Sequence, residues 1–401
     1  MAVKRLLIKN GIVLTPLNEL ATDLYIEDGR IQQIGNAPVP RQDASDLEVF
    51  DADGGYVCPG LIDLQVNGGP MCDLWQEIDA AKLDALRLDL AQHGVTSFLP
   101  TLITGPVDHV KANLDLLKDL GVRRGGMHLE PEFGRLGQTG LARMPGVHLE
   151  GPYISPKRPG VHPAANILPL DQGEIGKIID AANEKSVALM TVAPETAANG
   201  ETISVLQKMG IKLSAGHSNA SSQEARAAFD AGIGLVTHLF NAMPPLHHRQ
   251  VGIAGAALLD DRVVCQLIAD GLHLSPEMVA LIYKIKGPDS TILVTDRAAI
   301  GTSQGGLVGA SITLDQAVAN VVKWGVCTFA TAIKMASYNP AVALGLNDVG
   351  FLAPGCLGDI AIFDSTSLLV KQVFVLSLIH ISEPTRQAEI SYAVFCLKKK
   401  K

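Results

Sequence analysis

The sequence predicts an α/β fold: a (β/α)8 TIM-type barrel carrying a small discontinuous β-sandwich domain formed by both termini. Three observations lead there. Eight short, nearly continuous apolar runs recur through the middle of the chain, most of them separated by segments of helical period. Short alternating runs crowd the first fifty residues, and a matching pair of runs returns after Pro354-Gly355. Apolar strands alternating with helices imply a parallel sheet covered on its outer face, and eight such units favour closure over a doubly wound open sheet.

Each element has a local reason. At the start, LLIKNGIVL, LYIEDGRIQQIG and LEVFDADGGYV alternate as half-buried strands do, and Asp28-Gly29 between two of them reads as a hairpin turn. At the other end GDIAIF and LLVKQVFV repeat the pattern, so strands from the two ends are expected to pair. This divides the chain into a small β domain (1–57 and 350–375) and a barrel (58–349). The expected barrel strands are Leu61–Val66, Ser97–Ile103, Gly146–Glu150, Val187–Ala193, Lys212–His217, Leu235–Phe240, Val263–Ala269 and Thr291–Asp296. Expected helices include Asp79–His93, Gln172–Glu184, Ser222–Ala231 and Ser275–Lys284.

The stretch 376–401 breaks the pattern. LSLIHISEPTRQAEISYAVFCL followed by four lysines back-translates residue by residue into a transposase-type sequencing adapter, and is read as library read-through rather than evolved sequence.

Composition narrows the function. A chain of 401 residues that is 47% hydrophobic can bury one large core and a smaller one. A net charge of −8 argues against a general polyanion-binding surface, and no nucleic-acid partner is expected. The six cysteines form no C-x-x-C pair, so neither a zinc ribbon nor a disulfide framework is indicated, and a reducing cytoplasm is the simplest setting. The apolar run in Met1–Leu14 is broken by Lys9, Asn10 and Gly11, which fails as a secretory signal. No apolar stretch reaches the roughly 20 residues needed to span a bilayer.

Catalytic groups of a barrel sit where its strands end. Here the polar residues fall on those ends: Gln65 and Asn67 after strand one, Glu150 after three, His217 after five, His238 after six, His273 beyond seven and Asp296 after eight. One carboxylate and two imidazoles converging on one axis make a zinc-type set with a fourth position for water, and Asp296 is then available as the base. A single histidine at a strand end is more often structural; their joint placement on separate strands argues for a site.

The segments that carry these residues resemble the N-acetylglucosamine-6-phosphate deacetylase family of the amidohydrolase superfamily. They are PGLIDLQVNGG, FLPTLIT, HLEGPYISPKRPGVHP, SAGHSNA, THLFNAMPPLHHR, IADGLHLSP and LVTD, in order from Pro59 to Asp296, and the resemblance as a whole runs from about residue 3 to residue 375. The resemblance implies Glu150, His217 and His238 as metal ligands and Asp296 as catalytic acid/base. It implies that His162, twelve residues after Glu150, contacts the substrate carbonyl, that His273 touches the sugar, and that Arg249 reaches the phosphate from the facing subunit of a homodimer. Asn241 and Ala242 match contacts near that phosphate, and Leu307, Val308 and Gly309 match a segment bordering the substrate. Many relatives carry His-x-His on strand one. This chain has Gln65-Val66-Asn67, as in the single-metal branch, so the resemblance implies one divalent ion, Zn2+ ahead of Fe2+, Mn2+ or Co2+.

Two features depart from the pattern. The passage after Asp296 is shorter than in family members, and Arg297 stands where a small residue is usual. A second HLE triplet ends at Glu130 but lacks the following Gly-Pro-Tyr and the later histidine, so Glu130 is read as a decoy. Rival readings are a deacetylase of N-acetylgalactosamine 6-phosphate, a cyclic-amide hydrolase on the same fold, and a barrel without catalysis.

Overall fold

The computed structural model describes residues 5–35, 47–125, 140–179, 185–196, 200–299, 302–303, 306–376 and 378–380. Eight parallel strands follow one another around a barrel: Leu61–Val66, Val95–Ile103, Val147–Glu150, Val187–Val192, Lys212–Ala215, Leu235–Val236, Val264–Ile268 and Thr291–Val294. All eight expected strands are present; the first has its expected bounds, the second starts two residues earlier, and the other six are shorter than expected. Their apolar side chains merge into one continuous core, as strands covered on both faces require.

Between strands eight and one the barrel closes just past the strand ends, through the Asp63 side chain and a single backbone bridge between Val66 and Arg297. Thr295 donates its backbone N–H and its hydroxyl to the Asp63 carboxylate, at 3.2 and 2.6 Å, and Asn67 N–H donates to Arg297 O at 2.7 Å. Burial pushes the Asp63 carboxyl up to about 6, partly offset by these donors. Arg297, the unexpected residue, reaches from this seam to Asp89 on the first helix at 2.6 Å.

The helices start where their capping residues allow. Asp79 accepts from Lys82 N ahead of Ala80–Gln92, Ser221 and Glu224 form a capping box ahead of Ser222–Asp230, and Ser275 with Pro276 opens Pro276–Lys286. Of the expected helix Gln172–Glu184, Gln172–Ile178 is helical and residues 180–184 lie outside the described residues.

The ends of the chain build the second unit. Tyr56–Pro59 pairs in parallel with Arg5–Leu14 and antiparallel with Ile360–Phe363, so strands from both ends do meet. The expected Asp28-Gly29 hairpin is present, with both residues at positive φ and Glu27 paired to Arg30. The hydrogen bonding links these strands into one eight-stranded sheet that branches at Arg5–Leu14, which pairs with Leu47–Asp51 through Arg5–Lys9 and with Tyr56–Pro59 through Ile12 and Val13. It has a core of its own, including Leu6, Ile26, Val57, Ile362 and Phe374. A buried ion pair between Arg143 and Asp359 ties the barrel to the C-terminal strands. Leu378–His380 adds a short edge strand; residues 381–401 lie outside the described residues.

Candidate active site

Five of the ten non-glycine residues recorded at positive φ lie in or beside the expected site: His217 (φ 46°), His238 (φ 29°), Phe240 (φ 75°), Ala242 (φ 50°) and Asp296 (φ 52°). Left-handed backbone is costly for such residues and persists where the surroundings impose it. Each of His217, His238 and Asp296 follows a barrel strand by two residues, and the turn re-aims its side chain into the mouth of the barrel. It also explains why strand six stops at Val236 instead of continuing to Phe240.

Three electron-pair donors meet there. Glu150 Oε1 lies 2.9 Å from His238 Nε2 and 3.3 Å from His217 Nε2, and the two nitrogens are 3.2 Å apart. All three side chains are buried. Ligands on a tetrahedral zinc with bonds of 2.0–2.1 Å are separated by about 3.3 Å, so this triangle has the size that one such ion requires. Gln65 Nε2 donates to Glu150 Oε1 at 2.9 Å, while Gln65 Oε1 and His238 Nδ1 are buried without a partner among the described residues. Orphaned buried polar atoms beside converging lone pairs are what a site built around a cation leaves when described by its protein atoms alone.

His162 also approaches the carboxylate, its Nε2 lying 3.8 Å from Glu150 Oε2, and Glu150, His162 and His217 offer ligand atoms all within 4.8 Å of one another. Hydrogen bonding separates the roles of these imidazoles. His217 Nδ1 faces the Arg158 carbonyl at 3.1 Å, which can only accept, so the proton sits on Nδ1 and Nε2 keeps its lone pair for the centre. His162 Nδ1 accepts from the Thr104 backbone N–H at 3.3 Å, with the Thr104 hydroxyl at 2.9 Å. That leaves the His162 proton on Nε2, facing the site as a donor. The geometry therefore favours His238 over His162 as the third ligand.

Charge follows from burial. Burial opposes the ionised form of Glu150, but the imidazoles of His217 and His238 set against it overrule burial and hold the carboxyl well below its usual range. Burial and then the Glu150 charge push Asp296 up to about 7. Burial pulls His162 down to about 3, so it stays neutral at physiological pH.

The other expected residues are spread along the rim. Asn67 Nδ2 donates to Asp296 Oδ1 at 2.7 Å. His273 Nδ1 bonds Asp270 Oδ2 at 2.7 Å. Val308 and Gly309 are drawn beside Asp296 because Ala310 N donates to Asp296 O at 2.9 Å, and Leu307 belongs to a two-stranded ribbon with Thr302. Asn241 spends its side-chain amide on the His238 carbonyl at 3.1 Å. Arg249 stays in an exposed loop, its backbone N–H donating to His247 Nδ1 at 3.3 Å, and its side chain is not drawn into this cluster. Glu130 lies outside the described residues. Sequence reasoning missed Thr104, Arg158, Asp270 and Trp75, all partners of site residues; Thr104 alone carried a signal, since it follows the end of strand two on the same rim.

A cavity of about 470 Å3 opens among Lys212, Leu235 and Val264, where strands five to seven begin, at the opposite end of the barrel. It contains none of these residues, and the chemistry lies at the strand ends.

A barrel with a carboxylate and two imidazoles closing on one point, and a second carboxylate beside them, defines a metal-dependent hydrolase. The family model described as amidohydrolase family matches residues 56–392. The chain is 32% identical over 375 residues to N-acetylgalactosamine-6-phosphate deacetylase of Escherichia coli O157:H7, covering 88% of this chain and 93% of that one. It is 30% identical over 376 residues to N-acetylglucosamine-6-phosphate deacetylase of Lysinibacillus sphaericus, covering 88% and 91%. The crystal structure of N-acetylglucosamine-6-phosphate deacetylase from Thermotoga maritima superposes with a TM-score of 0.78 at 30% identity, covering 94% and 100%. The chain belongs to the amidohydrolase family, in its N-acetylglucosamine-6-phosphate deacetylase branch. The family implies a divalent metal, and the cluster around Glu150 is the candidate to hold it.

Proposed function

We propose that this protein hydrolyses the acetamide of N-acetyl-D-glucosamine 6-phosphate to D-glucosamine 6-phosphate and acetate. The observation that carries this reading is the Glu150–His217–His238 triangle with Asp296 and His162 on the same rim, in a chain about 30% identical over most of its length to named deacetylases. Glu150, His217 and His238 would hold one divalent ion, Zn2+ by the nitrogen and oxygen donor set. When bound, that ion supplies Lewis acidity toward a water and a carbonyl oxygen.

The chain's own residues do the rest. The Asp296 carboxylate takes the proton of the attacking water and returns it to the departing nitrogen, so one group serves as base and then acid. The neutral His162 donates from Nε2 to the acetyl oxygen as negative charge develops on it; such donors contribute about 3 to 4 kcal/mol each. His273, oriented by Asp270, and Gln65 with Asn67 line the sugar side. Arg249 serves as the phosphate anchor of a facing subunit, which its exposure in its own chain suits. We accordingly propose a homodimer, and a cytoplasmic setting consistent with the five described cysteines all being free. No helix among the described residues is long and apolar enough to cross a membrane.

The galactosamine epimer is the second reading, favoured by the 32% identity to the E. coli enzyme named for it. Acetate release from both N-acetyl epimers, each with and without the 6-phosphate, separates the readings. A preference for the unphosphorylated sugars would remove the phosphate assignment, and no release from any of the four would overturn the proposal. Light scattering tests the dimer.

A further inference from the structure

The loop after strand one contains two hydrogen bonds in series that the reaction above leaves without a role. Trp75 Nε1–H donates to Asn67 Oδ1 at 3.2 Å, and Asn67 Nδ2–H donates to Asp296 Oδ1 at 2.7 Å. An indole nitrogen can only donate. The amide oxygen must therefore face Trp75 and the amide nitrogen must face Asp296, so the outer partner sets the orientation of the inner one. The Asn67 backbone is equally fixed, its N–H donating to Arg297 O at 2.7 Å and its carbonyl accepting from Leu74 N at 3.0 Å. A short ribbon, Gly68–Gly69 with Cys72–Asp73, turns the chain back, and Asp73 Oδ1 accepts from Trp75 N at 2.9 Å. Gly68 has φ +147°, and a Cβ there would lie 2.3 Å from the Cys72 carbonyl oxygen, so the ribbon that presents Trp75 closes only on glycine.

We infer that Trp75 and Asn67 are positioning residues that reserve Asp296 Oδ1 as a hydrogen-bond acceptor and leave Oδ2 as the oxygen that carries the proton during turnover. The inference rests on the reading of Asp296 as the acid/base. An N–H directed at Oδ1 favours its unprotonated form, because a carboxyl's O–H oxygen is the poorer acceptor, whereas Oδ2 receives no hydrogen bond among the described residues. Without the indole N–H the amide is free to rotate and present its oxygen to Asp296. A proton on Oδ1 would then be stabilised by that oxygen, on the side of the carboxyl that faces Asn67. The pair thus selects both the reactive oxygen and its direction, the type of restraint on which rates depend steeply.

Trp75→Phe keeps the ring and removes only the donor. In this variant kcat is expected to fall about tenfold with KM within about twofold and bound metal unchanged. A second measurement needs no turnover. The chain has two tryptophans, so in nitrogen-15 spectra of the metal-free protein the Trp75 indole signal is the one that Trp75→Phe abolishes. Asn67→Ala is expected to move that signal upfield and speed its exchange with solvent. A folded Trp75→Phe enzyme with full kcat overturns the inference, as does an indole signal indifferent to Asn67→Ala; if Trp75→Phe does not fold, the Trp324→Phe background identifies the signal and Asn67→Ala decides. Full turnover by Asp296→Asn would sink the acid/base reading itself, whereas an inactive Asp296→Asn beside a fully active Trp75→Phe sinks the positioning role alone.

Discussion

His217 Nε2 and His238 Nε2 stand 3.2 Å apart with Glu150 Oε1 closing the triangle. Because His217 carries its proton on the far nitrogen, against the Arg158 carbonyl, its near nitrogen offers a lone pair, and His238 must answer with a proton or share a cation. Zinc is therefore expected to raise the melting temperature of the wild-type protein. Ligand at a hundredfold excess over Kd stabilises the folded state by about 2.7 kcal/mol. In His217→Ala the rise should vanish and elemental analysis should find the site empty; an equal rise in the variant would remove His217 from the ligand set.

Thr104 decides what His162 does. Its backbone N–H and hydroxyl both face His162 Nδ1, keeping the proton on Nε2. Thr104→Val removes the hydroxyl while preserving the shape, so the ring is held by a single weaker bond. We expect kcat to drop by about 10- to 100-fold with metal content unchanged, in line with other losses of an orienting partner. Loss of metal in Thr104→Val would instead mark His162 as a ligand.

Asp296 gives the site its pH dependence. Burial and the Glu150 charge raise its carboxyl from 3.8 to about 7 in the metal-free protein. A carboxyl raised on folding contributes stability that is complete below its unfolded value and is lost as pH rises through the folded one. Metal-free Asp296→Asn should therefore melt above wild type at pH 8 and lose that advantage near pH 4. Zinc beside Glu150 cancels the charge that raises Asp296, so carbon-13 titration should find a midpoint near 7 without metal and a lower one with it. A midpoint unmoved by zinc would separate Asp296 from the ion's field. Turnover requires the charged form, so kcat/KM should fall as pH drops through the loaded value.

The fold was legible because strands buried on both faces read as apolar runs, and because each barrel strand presents its last polar residue on the same rim. Glu150, His217, His238 and Asp296 could be picked out for that reason. Their partners could not. Thr104 and His162 are 58 residues apart, Asn67 and Asp296 are 229 apart, and Arg158 acts through a carbonyl that every residue possesses. Such contacts depend on which loops meet above the barrel, which periodicity does not encode. The short passage after Asp296 reads on paper as a loss, yet a minimal ribbon, Thr302–Ser303 with Gly306–Leu307, remains, and Ala310 still pairs with Asp296. The excess of left-handed residues at strand ends was invisible for another reason: histidine and aspartate at those positions carry no glycine-like mark.

Gly160 supports the metal cluster from outside it. It sits at φ +57°, where a side chain is strained, and a Cβ there would lie 2.9 Å from His217 Cε1 and 3.4 Å from His217 Nδ1. The same segment supplies the Arg158 carbonyl that holds the His217 proton, and Arg158 Nε is in turn fixed by Asn219 Oδ1 at 3.1 Å. Alanine at 160 must displace either the imidazole or the carbonyl that orients it, and a shift of a few tenths of an ångström is felt at a triangle whose edges are set by one ion. Gly160→Ala is thus expected to weaken zinc binding by about 10- to 100-fold, the usual cost of disturbing a ligand's support. The global fold should persist, because the segment lies outside the barrel ladder. Competition with a chromophoric chelator measures the first and far-ultraviolet circular dichroism the second. Wild-type zinc affinity in a folded Gly160→Ala protein would show that His217 has slack that the close approach of Gly160 denies it.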